Sequence, residues 1–276
     1  MIYAMSDIHG CIEELKNKME QVDLRGDNRV IFLGDYIDYG ENSFQVLQYI
    51  WELQKNYSDE KVIVLKGNHE QMFLEWINDF RDPYADGLKD YMTCNDWLRT
   101  EFECGANTIR TFISEEQMSF LEQISRTCSL GSISREAVQM LLSDHEKMIW
   151  WMQQMPLYYE TDAQIFVHAG VDEEAGEYWM WGSSSDVFLW KFPPSKGRFY
   201  KTVIAGHVGT GTRELADDRE YNDIYYDGES HYYIDGSVYK NGKLLLLGYD
   251  EENNKYYQVE KNKKKLALAK IRRDEF

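Results

Sequence analysis

Residues 29–40 read RVIFLGDYIDYG, and the fold turns on this stretch. Val30-Ile31-Phe32-Leu33 is a short apolar run with β-branched members, bounded by charge before it and glycine after it. That pattern suits a strand buried on both faces. The run ends in Gly34-Asp35, then offers a second acid at Asp38 and a second glycine at Gly40. Two carboxylates at the mouth of a buried strand are costly unless positive charge lies between them, and hard cations take carboxylate oxygen. Taken alone, the stretch is equally a strand followed by an ordinary Asp/Gly turn.

The same design recurs on both sides. Upstream, residues 1–5 read as a strand followed by Ser6-Asp7-Ile8-His9-Gly10, and an amphipathic helix is expected over 11–22 from Ile12, Leu15, Met19 and Val22. Downstream come a helix over 43–55, an apolar run at 61–66 ending in Gly67-Asn68-His69-Glu70, and a helical pattern over 71–81. Apolar runs at 164–167 and 202–205 lead into His168-Ala169-Gly170 and Gly206-His207. Strand, polar turn, helix, strand is an α/β signature.

Residues 82–156 lack long β-branched runs. They hold two capping-box patterns, Ser114 with Gln117 and Ser143 with Glu146, each predicting a helix start. They read as a helical insertion in a single domain spanning 1–276. Alternation over 231–239 and 242–248 predicts an antiparallel pair closing a second sheet. Tyr225-Tyr226 and Tyr232-Tyr233 read as strand residues, His145 as a surface residue of a first helical turn, and 260–273 as a basic tail or frayed last strand.

A net charge of -18 repels nucleic-acid backbones and anionic lipid surfaces, so neither is expected as a partner. It also repels phosphate esters, so a site for one needs strong local positive charge, which metal ions supply. Cys11, Cys94, Cys104 and Cys128 show no paired metal-ligand spacing. The first residues form no secretion signal, and no apolar run is long enough to span a membrane. A reduced cytoplasmic location is the expectation.

Five apolar runs thus end in glycine-flanked polar groups: Asp7/His9, Asp35/Asp38, Asn68/His69, His168 and His207, which take four of the six histidines. Ligands in α/β sheets gather at the carboxyl ends of strands. A mixture of Asp, His and Asn fits two hard-to-borderline metals sharing a carboxylate bridge.

The set SDIHG, GDYIDYG, GNHE, VHAG and AGH, in that order over residues 6–207, resembles the phosphoprotein phosphatase (PPP) family of calcineurin-like metallophosphoesterases, bacterial type. The resemblance implies two mixed β-sheets packed as a sandwich, flanked by helices. It implies two divalent ions, manganese first, with iron, zinc or cobalt as alternatives. Asp7 and His9 would hold the first, Asp35 would bridge, and Asn68, His168 and His207 would hold the second. His69 would be the general acid, oriented by Asp38. A metal-bridging hydroxide would attack phosphorus directly, with no phosphoenzyme.

Two departures bear on substrate. The family's second motif has arginine where Tyr39 stands, and an arginine after a Leu-Trp pair where Leu189-Trp190 leads into Lys191. Tyr39, Lys191 and Arg198 become the candidates for gripping phosphate, with Lys196 and Arg213 behind them. Tyr39 and Lys191, which stand in the places of the missing arginines, do not offer their bidentate fork. The expected activity is hydrolysis of phosphoserine and phosphothreonine in proteins, or of a small phosphoester. The alternatives are a symmetrical diadenosine tetraphosphatase and a metal-binding regulatory protein with weak turnover.

Overall fold

A computed structural model describes residues 1–81, 106–260 and 266–267 of the 276. Strands β1 (Ile2–Met5), β2 (Arg29–Phe32) and β3 (Val62–Val64) run parallel in adjacent positions. Their side chains alternate between two faces, and both faces are buried. Tyr3, Met5, Val30 and Phe32 join a core formed with helices α1 (Ile12–Met19), α2 (Ser43–Tyr57) and α3 (Asn68–Phe80). Ile2, Ala4 and Ile31 join a different core with Phe166, Ile204 and Tyr232 of the second sheet. The apolar runs are continuous because each strand is covered twice.

Helix α3 begins at Asn68, three residues before the start expected from its apolar spacing. Asn68 and His69 therefore sit in a first helical turn rather than on a loop. Next come α4 (Ala106–Phe112), α5 (Glu115–Ile124) and α6 (Leu130–Gln153), which bury Ile109, Phe112, Leu121, Val138, Leu141 and Ile149 in the first core. The capping box at Ser114 forms with Gln117 as expected. The one at Ser143 does not: Ser143 lies inside α6, which kinks at His145 (φ -130°, ψ 20°). His145 is half-buried rather than a surface residue, because its Nε2 donates to the Phe112 carbonyl (2.6 Å) and its ring packs on Phe44.

The second sheet has the order β4 (Tyr158–Glu160), β5 (Gln164–Val167), β6 (Thr202–Ala205), β8 (His231–Tyr233), β7 (Tyr225–Tyr226). β5, β6 and β8 are parallel. Their outer face is covered by Trp179 and Phe188 of two short helices, α7 (Trp179–Gly182) and α8 (Ser185–Trp190). The tyrosine pairs are strand residues, and Tyr226 stacks on Tyr232 at 4.4 Å.

The late antiparallel pair is not formed. β8 stays in the second sheet, a short helix α9 (Val238–Asn241) follows, and β9 (Leu247–Asp250) crosses to pair antiparallel with β1. β10 (Lys255–Gln258) and β11 (Leu266–Ala267) extend that first sheet. The rest of the basic tail, Cys94, Cys104 and the start of the expected helical insertion lie outside the described residues; Cys11 and Cys128 are free thiols. Among the described residues no helix is long and apolar enough to cross a membrane.

Candidate metal centre

β1, β2 and β3 are parallel in one sheet and β5 and β6 in the other, and their carboxyl ends meet at one edge, where His168 Nδ1 reaches the Leu33 carbonyl (2.9 Å) and the His207 N–H reaches Asp7 Oδ2 (3.0 Å). The loop after β1 is pinned to the loop after β2 by backbone bonds: Asp7 N donates to Gly34 O (3.1 Å), His9 N to Asp35 O (3.0 Å) and Gly40 N to His9 O (3.0 Å). Among the described residues, six of the ten non-glycine residues with positive φ are Asp7, His9, Asp35, Asp38, Tyr39 and His207. Each left-handed residue of this kind costs on the order of 1 kcal/mol or more. Strain concentrated at three strand ends, after β1, β2 and β6, points to selection for side-chain placement there.

Asp35 is the centre of the cluster. Its Oδ2 stands 3.6 Å from His9 Nε2, 3.5 Å from His168 Nε2 and 3.8 Å from His69 Nε2. Two groups of donors lie within 4.8 Å of one another: His9, Asp35 and His69, and Asp35, His168 and His207. Asn68 Oδ1 joins the second group, 2.7 Å from His168 Nε2 and 3.2 Å from His207 Nδ1. Asp7 flanks it, its buried carboxylate accepting from the His207 backbone N–H at 3.0 Å.

The tautomers argue that a cation belongs here. His9 Nδ1 lies 2.8 Å from the Ile37 carbonyl and His168 Nδ1 lies 2.9 Å from the Leu33 carbonyl, so each must carry its proton on that atom. Burial lowers both imidazoles to about 4, against the pull of Asp35, so they stay neutral. Each Nε2 then turns its lone pair toward Asp35, and the single lone pair of His168 faces the Asn68 oxygen as well. Lone pairs facing one another in a dry site need a positive charge between them. The acids say the same. Burial raises Asp7 well above the ordinary carboxylate range, with Asp235 and Asp35 adding to it. Burial likewise raises Asp235 to about 6. The donor set, nitrogen and oxygen with no sulfur, fits divalent ions of borderline hardness.

His69 is held differently. Its Nδ1 lies 2.6 Å from Asp38 Oδ2, and its backbone N–H donates to Asp35 Oδ1 (3.1 Å). Burial opposes its charge, but Asp35 and the bond to Asp38 outweigh burial and raise it to about 9.

Two residues that pattern reading passed over hold this arrangement. Glu70 is fully buried and accepts four backbone N–H groups, from Asp35 (2.9 Å), Tyr36 (2.8 Å), Ile37 (3.3 Å) and Gly67 (3.0 Å). Its position three residues after Gly67, at the helix start, was the available signal. Thr108 of α4 donates to Asp38 Oδ1 (2.5 Å) and accepts from Asp38 N (3.1 Å), joined by Ser43 Oγ (3.0 Å). No local pattern marks Thr108. Glycine is required where the donors press on backbone: a Cβ on Gly67 would lie 2.2 Å from Asp35 Oδ1, and one on Gly206 2.2 Å from Asp7 Oδ2.

The phosphate-grip candidates are scattered. Tyr39 is beside the cluster, edge-on to His9 (4.8 Å between ring centres) and stacked on Tyr239 (4.3 Å). Lys191 is turned aside: its stem covers Gly170, and its ammonium donates to the Val171 carbonyl and pairs with Glu173 at 3.6 Å. Arg198 is exposed, and Lys196 lies over the Tyr225 ring at 5.4 Å. Of the Trp-rich stretch, Trp190 meets His207 edge-on at 6.1 Å, whereas Trp179 is buried in the core.

Comparison with known proteins agrees with this geometry. A family model described as calcineurin-like phosphoesterase matches residues 1–210. A symmetrical bis(5'-nucleosyl)-tetraphosphatase of Wigglesworthia glossinidia brevipalpis is 36% identical over 107 residues, 36% of this chain and 38% of that protein. Shewanella-like protein phosphatase 2 of Arabidopsis thaliana is 26% identical over 225 residues, 74% of this chain and 55% of that protein. These matches thus span well under two thirds of either relative. The crystal structure of a cold-active protein-tyrosine phosphatase from a psychrophilic Shewanella species superposes with a TM-score of 0.55 at 16% identity, covering 97% of this chain and 80% of that one. At that identity the likeness is one of fold.

Proposed function

Since the chain belongs to the calcineurin-like phosphoesterase family, we propose that it is a metal-dependent phosphate monoesterase whose substrates are phosphoserine and phosphothreonine in proteins. The observation that supports the chemistry best is the His69–Asp38 pair, 2.6 Å apart, set against Asp35 at the edge of the donor cluster. The similarity to a plant protein phosphatase over 74% of the chain supports the substrate class.

In this reading Asp7, His9 and Asp35 hold one divalent ion, and Asp35, Asn68, His168 and His207 hold another, manganese being the first choice. Such ions, when bound, supply positive charge to the phosphoryl oxygens and acidify a water for attack on phosphorus. The chain's own residues do the rest. Glu70 fixes the 35–37 backbone, so the Asp35 carboxylate keeps its aim. Asp38 accepts from His69 Nδ1, which leaves the Nε2 proton directed into the site. As the P–O ester bond breaks, that proton passes to the departing oxygen, so a serine or threonine leaves as an alcohol. General-acid help of this kind contributes roughly 10²–10⁴-fold.

A second reading, cleavage of symmetrical dinucleoside tetraphosphates, is favoured by the 36% identity over 107 residues to such an enzyme. Hydrolysis of para-nitrophenyl phosphate, a phosphoserine peptide and diadenosine tetraphosphate, in parallel with manganese, separates the two. The proposal requires turnover of the first two; cleavage of the dinucleotide alone overturns it.

A further inference from the structure

Beyond His207, residues 209–221 and 236–241 enclose a cavity of about 710 Å³. Its walls carry Arg213, Arg219 and Lys240, with Thr210 and Thr212 among the lining residues, and one acid, Asp217. The chain has 48 acids against 30 bases, so cations gathered on one pocket are contrary to its overall composition. Among the described residues, none of the three forms an ion pair or a side-chain hydrogen bond. Thr210 is 1% exposed and its hydroxyl has no hydrogen-bond partner, nor has that of Thr212. Buried hydroxyls are ordinarily partnered. The cations stand over a backbone that includes Gly209, Gly211 and Gly236, and cations over a glycine-rich backbone make a receptor for a phosphate group.

The cavity adjoins the metal centre. Thr210 N donates to the Asp235 carbonyl (2.9 Å) and Ser237 N to Asp235 Oδ1 (2.7 Å). Tyr239 meets His9 edge-on at 5.6 Å, and Lys240 Nζ sits 5.0 Å over the Tyr239 ring. We propose that this pocket is a second phosphate-binding site, in which Arg213, Arg219 and Lys240 hold a phosphate group other than the one being hydrolysed. That phosphate is either borne by the substrate itself or belongs to a free polyphosphate anion. The substrate alternative rests on the phosphoesterase reading above; the existence of the site does not.

The test compares the full chain with Arg213→Gln/Lys240→Gln, both changes being at exposed positions. Binding of inorganic tripolyphosphate is measured by calorimetry with and without chelator, with circular dichroism as the folding check. Wild type is expected to bind under both conditions, and the double variant about tenfold more weakly, each exposed charge contributing a few-fold. Equal affinity in the two proteins, or no binding once metal is removed, overturns the proposal. The ratio of kcat/KM for a nucleoside diphosphate to that for para-nitrophenyl phosphate then identifies the source. A tenfold fall in the variant assigns the pocket to the substrate's own second phosphate, and a constant ratio with weakened binding assigns it to a free anion. Absence of all turnover contradicts the phosphoesterase reading alone, since the binding arm still reports on the pocket.

Discussion

Thr108→Val removes one hydroxyl and keeps the side chain's shape. In the wild type that hydroxyl donates to Asp38 Oδ1 and accepts from Asp38 N, and both residues are buried (0% and 1% exposed). Ser43 Oγ still serves the Asp38 N–H at 3.0 Å. The main loss is the hydrogen bond to a buried carboxylate oxygen, about 1.5–3 kcal/mol, together with the 3.2 Å bond between the Thr108 hydroxyl and Ser43 Oγ. For a chain of 276 residues that lowers Tm by roughly 3–5 °C. The freed carboxylate also loses its hold on His69, and such supporting contacts are worth roughly 10–100-fold in activity. Thr108→Ser keeps the hydroxyl and gives up one methyl, about 1 kcal/mol, so it should melt slightly lower yet retain activity. Thermal melts of the manganese-loaded proteins, with kcat/KM on an alkyl and an aryl phosphate, check both parts. A valine variant with wild-type turnover on the alkyl ester would refute the claim that α4 supports the general acid.

His69→Asn should leave metal content unchanged and cut turnover of alkyl phosphates by roughly 10²–10⁴-fold, with para-nitrophenyl phosphate far less affected; equal losses on both would contradict its role as proton donor. Gly206→Ala sets a Cβ 2.0 Å from Ser6 Oγ and 2.2 Å from Asp7 Oδ2, so Asp7 must move. Elemental analysis should find about one ion fewer per chain, and the melt should fall by the equivalent of about 1–3 kcal/mol. His231 is buried between Asp227 (2.8 Å) and Glu173 (3.2 Å). Burial lowers its pKa, but those two partners outweigh it and raise the value to about 9. The unfolded imidazole titrates near 6.5, so this stabilisation is complete below about pH 6.5 and disappears as pH rises through 9. Unfolding by denaturant between pH 6 and 10 should show that decline, and His231→Gln should flatten it; an unchanged slope in the variant would place the decline elsewhere.

The site was more legible than the later fold, for a physical reason. Buried parallel strands announce themselves as continuous β-branched runs, and the polar groups at their ends follow directly in sequence, so Asp7, Asp35, Asn68, His168 and His207 could be grouped without knowing any strand partner. Sheet membership late in the chain is a non-local property. Residues 231–239 and 242–248 alternate as strands do, yet the β8 and β9 segments serve different sheets because β1 has a free edge that β9 fills. The Ser143 pattern failed because a capping motif inside a long amphipathic segment gives no stop signal before it; α6 runs through, and the kink is spent on the bond from His145 to Phe112. Thr108 was invisible because its partner, Asp38, lies 70 residues away. Lys191 was misleading for the same reason: its nearest acid, Glu173, becomes a neighbour only once α7 and α8 have folded back.

The most direct test of the account is to strip the protein of metal and titrate it with manganese while following para-nitrophenyl phosphate hydrolysis. The account predicts no turnover at the start and a rise that levels off at two equivalents per chain. Hydrolysis that persists in chelator, or stripped protein that takes up no ion, would contradict it.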